Sequence, residues 1–128
     1  MSKLEEFGTE LVTTFLEATN SCDHSKVSKL INEDAVFCLF GEAIKGLKQN
    51  ENHHEDVWNA IKNLKFWAAD IETIHHDGKC RIYTYQAHYS GYEEGNFIEG
   101  SARTTDVFVE NDITKQWELL HTHSSAIN

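Results

Sequence analysis

Trp117-Glu118-Leu119-Leu120-His121-Thr122-His123-Ser124 reads as a β-strand near the end of the 128-residue chain. Successive strand side chains point to opposite faces, so Trp117, Leu119, His121 and His123 share one face and Glu118, Leu120, Thr122 and Ser124 the other. The first face runs from apolar to imidazole. A strand that leaves a packed core and enters a pocket lined by a few polar groups has this pattern. The competing reading is a surface strand carrying exposed histidines.

Working outward, Asn111 to Lys115 is a turn and Arg103 to Glu110 the strand before it. Gly91 to Gly100 reads as a polar, glycine-bearing connection, and Cys80 to Ser90, dense in Tyr and Ile, as another strand. Phe66 to His76 alternates, and Asp77-Gly78 after it is a hairpin signal. From about Asn50 the period is helical, with His54, Val57, Trp58, Ile61 and Leu64 on one side. Ala35 to Phe40 is a short apolar strand, followed by a turn from Gly41 to Gly46. Leu4, Phe7, Gly8, Leu11, Val12, Phe15, Leu16 and Thr19 form one stripe of a first helix that stops near Asn20. Asp23 or Ser25 can cap a short second helix through Val27, Leu30 and Ile31, by accepting orphan backbone N–H bonds. The order is helix, helix, strand, helix, then four strands joined as hairpins. That order predicts an α+β domain spanning 1–128, one curved antiparallel sheet with helices on its inner face.

Eleven Lys and Arg against 21 Asp and Glu give a formal charge of −10, which repels a phosphate backbone or an anionic membrane. Neither nucleic acid nor membrane is an expected partner. The amino terminus lacks the basic region and apolar run of a signal peptide, so a cytoplasmic location is expected. Cys22, Cys38 and Cys80 are odd in number and contain no Cys-x-x-Cys pair, which argues against disulfides and a thiolate zinc site.

Four local words carry a resemblance: Asp34-Ala35-Val36-Phe37, Gly41-Glu42-Ala43-Ile44-Lys45-Gly46, Arg103-Thr104-Thr105-Asp106-Val107-Phe108 and the Trp117 to Ser124 strand. With the element order, they resemble the nuclear transport factor 2-like superfamily, in the branch of the SnoaL-like domains and the association domain of calcium/calmodulin-dependent protein kinase type II. The resemblance implies a cone-shaped, cystatin-like sheet, three helices from the amino-terminal side packed on its concave face, a cavity between them, and homodimerisation through the convex face. It implies no single activity, because the fold carries isomerases, dehydratases, cyclases and assembly domains.

His121 and His123 are the first candidate catalytic residues, since imidazole titrates near neutrality and can act as base, acid or donor. They also suit a shared metal, but no third ligand is tied to them by spacing, so neither a metal nor a cofactor is expected. Asp106 is the third. It resembles in position a pocket aspartic acid of ketosteroid isomerases, against a solvated strand residue as the alternative. If Asp106 points inward, Thr104 and Phe108 do too, and Arg103 points outward unless a bulge intervenes. Trp58 and Tyr85 are candidate ligand-binding walls and Arg103 a weaker ligand-binding candidate that could instead pair with a partner subunit. His53, His54, His75 and His76 read as solvent-facing. Phe15 stands where the isomerases carry a tyrosine and Leu39 near their aspartate base, which disfavours that reaction. The expectation is a small-molecule-binding domain with a His/Asp/aromatic pocket, and a histidine base would make it a lyase, isomerase or cyclase. The alternative is a non-catalytic oligomerisation module.

Overall fold

The computed structural model of the chain describes residues 9–127, so the expected stripe positions Leu4, Phe7 and Gly8 lie outside the described residues. Helix α1 (Glu10–Asn20) buries Val12, Phe15 and Thr19, the three- and four-residue spacing of one helix face. Its last residue fixes it to the sheet. The Asn20 carboxamide donates to Phe66 O at 2.8 Å and accepts from Phe66 N at 2.7 Å. Helix α2 (His24–Ser28) starts at Asp23, whose carboxylate accepts from Ser25 N at 3.0 Å.

Strand β1 (Ile31–Leu39) then turns back into β2 (Glu42–Lys45), so the segment expected as a plain turn contributes a short edge strand. Helix α3 (Gly46–Ala60) begins earlier than the apolar period suggests, and the Gln49 side chain accepts from Lys45 N at 2.8 Å across its first turn. It passes without a loop into β3 (Ile61–His76). Ile61 and Leu64 therefore belong to a strand, not to the helix their spacing suggested. Strands β4 (Cys80–Glu93) and β5 (Asn96–Glu110) form one long hairpin in place of the expected connection. Glu94 (φ 52) and Gly95 (φ 82) are both left-handed, the geometry of a two-residue turn that matches strand twist. Strand β6 (Trp117–Ala126) follows.

The six strands lie in the order β2-β1-β6-β5-β4-β3 in a curved, unclosed sheet, antiparallel except where β6 runs parallel to β1. Curvature comes largely from β3. Its pairing with β4 shifts between Lys62 and Lys65, between Ala69 and Glu72 and between Thr73 and His75. Two of these irregularities hold Asn63 (φ 54) and Asp70 (φ 55), residue types that tolerate the left-handed region. An extra residue on one strand bends that strand and increases its twist. The concave face so formed meets α1 on β3 and α3 on β1. Val12, Val27, Tyr83, Phe108 and Leu119 are fully buried between the layers, each worth about 1.5–3 kcal/mol of burial. Among the described residues no helix is long and apolar enough to cross a membrane.

Candidate functional site

A cavity of about 710 Å³ opens between the helices and the concave face. Its walls are mostly apolar and aromatic, with Phe15 from α1, Val57 and Trp58 from α3, Phe37 and Leu39 from β1, Phe66 from β3 and Tyr85 and Tyr89 from β4. Exposed Phe40, Glu42 and Glu93 line it too and mark its mouth.

The polar floor is built by register. Asp106 on β5 stands opposite Thr122 on β6, and Thr104 stands opposite Ser124, so four polar side chains project into the hollow from two adjacent strands. Thr122 Oγ1 donates to Asp106 Oδ1 at 3.0 Å, and Thr104 and Ser124 share a hydroxyl hydrogen bond of 2.9 Å. From β4 the Tyr85 hydroxyl donates to Asp106 Oδ2 at 2.7 Å. Asp106 is 1% exposed. Burial pushes its carboxyl up from 3.8 to about 6, against the pull of the two hydroxyl donors, which favour the ionised form. Burial and the adjacent Asp106 together hold the Tyr85 phenol well above its ordinary value.

The helical wall carries a second polar feature. His54 stacks on Trp58 with ring centroids 4.9 Å apart, and burial lowers its imidazole to about 4, with His24 and His53 nearby adding to the effect. His24 Nε2 meets Asn50 Oδ1 at 2.9 Å, while buried His54 Nδ1 and Asn50 Nδ2 have no hydrogen-bond partner. His53 also lines the cavity and is lowered by burial. The solvent-facing reading of His54 is thereby corrected. A signal was present, because Asn50, His54 and Trp58 recur every four residues on the side shared with Val57.

Trp58, Tyr85 and Asp106 thus share one cavity. His121, His123 and Arg103 do not. The strict alternation that turned both imidazoles inward fails at Leu120. Val107 pairs with His121 but Phe108 with Leu119, so β6 holds one extra residue there and its faces exchange. Leu119 stays in the core, Thr122 and Ser124 take the inward positions, and the two histidines face outward. His121 Nδ1 donates to Val36 O at 2.8 Å, and His123 is exposed. Arg103 is exposed on the same outer face, between Gln86 and Ser125, which removes it from the ligand-binding set. Sequence reasoning turned Thr104 inward with Asp106 but missed Thr122 and Ser124 as pocket residues. The Leu119-Leu120 doublet, which breaks the alternation, is the signal that would have found both.

The family model of the SnoaL-like domain matches residues 9–128. No curated protein sequence matches. Among solved structures, a Salmonella enterica protein of the nuclear transport factor 2-like superfamily is 16% identical over 98% of this chain and 92% of its own, with a TM-score of 0.85. A Xanthomonas campestris protein described as a calcium/calmodulin-dependent protein kinase II association domain is 22% identical, covering 91% and 83%, with a TM-score of 0.80. A hexachlorocyclohexane dehydrochlorinase from Novosphingobium barchaimii is 12% identical, covering 92% and 82%, with a TM-score of 0.81. At these identities the likeness is one of fold.

Proposed function

Because the chain belongs to the SnoaL-like domain family, we propose that it binds a small, largely apolar molecule in the cavity and reads that molecule's polar group with Asp106. The carrying observation is a fully buried carboxylate at the floor of an aromatic hollow, held by Tyr85 and Thr122. Burying an unpaired carboxylate costs stability, and pockets that bind ligands are where such costs are met with in folded proteins. The volume of about 710 Å³ falls within the range of small-molecule sites. With a carboxyl shifted to about 6, Asp106 is also matched to accept a proton near neutral pH. The occurrence of this fold in a dehydrochlorinase supports proton-transfer chemistry as the reaction class for such a site. Asp106 takes the role of base in this reading, since the two β6 histidines lie on the other face.

Screening small aromatic alcohols and amines by thermal shift tests the reading. Binders that stabilise the wild type but not Ala87→Phe, which fills the hollow, are the expected result. A broad panel with no binder overturns it.

The outer face favours self-association as a second property. Trp67, 48% exposed, stacks on His88, and exposed Tyr92 and Phe97 meet edge to face 5.5 Å apart on the same side of the sheet. A homodimer through this face should dissociate in Trp67→Glu, read by sedimentation equilibrium; an unchanged mass would remove the proposal.

A further inference from the structure

Charge and proton bookkeeping around the cavity identify the class of ligand. The acidic residues lining the hollow are Asp106, Glu42 and Glu93, and no Lys or Arg lies among the described lining residues. The two lining imidazoles, His53 and His54, are both lowered by burial, so neither supplies a positive charge near neutral pH. An anionic ligand would enter a site holding only like charge and pay the desolvation of its own charge as well.

The hydrogen bonds carry the same sense. A site that stabilises an oxyanion needs donors aimed at the ligand. Here the Tyr85 and Thr122 protons are both committed to the Asp106 carboxylate, and the Thr104–Ser124 bond uses one of that pair's two hydroxyl protons. Beside the one remaining Thr104 or Ser124 hydroxyl proton, the floor retains charged acceptor capacity, since a carboxylate offers about four lone-pair directions and two are used.

Resting on the ligand-binding reading above, we propose that the ligand is a lipophilic amine bound as its ammonium ion, with its N–H groups on Asp106 and its hydrocarbon body against the aromatic wall. An alcohol could satisfy one lone pair. An ammonium also supplies the counter-charge that the protein itself does not place beside Asp106, and charge-assisted hydrogen bonds are about twice as strong as neutral ones. Trp58, Tyr85 and Phe37 line the same hollow, and an aromatic wall favours a cation further wherever a ring face meets it, because the ring quadrupole is negative there.

Isothermal titration of the full chain at pH 8 with tryptamine, tryptophol and indoleacetate, which share one ring and differ in the head group, tests the assignment. Tryptamine should bind at least about tenfold more tightly than tryptophol, with indoleacetate undetected. Asp106→Asn should bring tryptamine to within about twofold of tryptophol while tryptophol binding persists. If that variant does not fold, titration of the wild type near pH 6 in two buffers of different ionisation enthalpy gives an independent reading. Proton release on tryptamine binding and none with tryptophol is then expected. Equal binding of tryptophol and tryptamine, or preference for indoleacetate, overturns the amine while leaving the ligand-binding reading standing. Failure of all three to bind overturns the amine assignment, and the ligand-binding reading falls separately only if the broader panel also finds nothing.

Discussion

Tyr85 and Asp106 are diagonal neighbours across β4 and β5, Tyr85 pairing with Thr104 and Asp106 with Tyr83, and the phenol leans one step along the sheet to donate to Asp106 Oδ2 at 2.7 Å. Long aromatic side chains can span such a diagonal. Tyr85→Phe removes a donor that stabilises the ionised carboxyl, so the Asp106 midpoint should rise above about 6. Stability should fall by about 1–3 kcal/mol at pH 8 and by less at pH 5, where the carboxyl is protonated. Urea unfolding at the two pH values, with an NMR titration of the Asp106 carboxyl carbon, checks both parts.

Asp106 and His54 should give stability opposite pH slopes. The Asp106 carboxyl is raised from 3.8 to about 6, so its contribution is fully present below 3.8 and is lost as pH rises through about 6. The His54 imidazole is lowered from 6.5 to about 4, so its contribution is fully present above 6.5 and is lost as pH falls through about 4. Each amounts to about 3 kcal/mol over its window. In the wild type the two slopes offset between about pH 4 and 6. Relative to wild type, Asp106→Asn should become more stable as pH rises across that window, and His54→Leu as pH falls. Parallel difference curves from denaturant titrations would refute the pairing.

The outward histidines yield a contrast. His123→Ala should change stability by less than about 0.5 kcal/mol, as exposed positions do. His121→Ala should cost about 1 kcal/mol through the lost bond to Val36 O. Neither should alter the affinity of a cavity probe such as tryptophol by more than about twofold, since a loss beyond tenfold would require a contact worth about 1.4 kcal/mol. A large affinity loss in either variant would return an imidazole to the site.

Gly91 faces the bulge at Asn63, where β3 folds over it. A Cβ there would meet Ile61 Cγ2 at 2.6 Å, Lys62 O at 3.2 Å and the Leu64 backbone at 3.3 Å. Two of these three atoms are backbone and cannot rotate away. Gly91→Ala should therefore destabilise by about 1–3 kcal/mol, measured by thermal or urea unfolding, whereas Gly95→Ala in the open turn is penalised only through its positive φ.

Much of the architecture was legible in the sequence, because apolar periodicity reports burial directly. The helix through Val12, Phe15 and Thr19, the Asp23 cap and the strand formers from Phe66 onward all follow from residue chemistry and spacing. What was not legible is where regularity breaks. Ile61 and Leu64 continue the helical spacing of α3 yet sit in a strand, because a period of four residues cannot mark the point at which the backbone extends. The site failed to read for the same reason at Leu120, where one added residue exchanged every side chain after it. Asp106, Tyr85 and Trp58 lie apart from that break; the family resemblance pointed to the first two and the helical period to the third, and all three line the cavity.

The extra residue at Leu120 makes the last strand a two-sided cassette, with alcohols turned towards the hollow and imidazoles held on the reverse. Losing Leu120 would leave every later residue on its present partner and face, whereas pairing Leu120 itself with Val107 would turn the imidazoles inward and the alcohols out. The choice of reagent facing the hollow is therefore held by one unpaired residue, not by which side chains the strand carries.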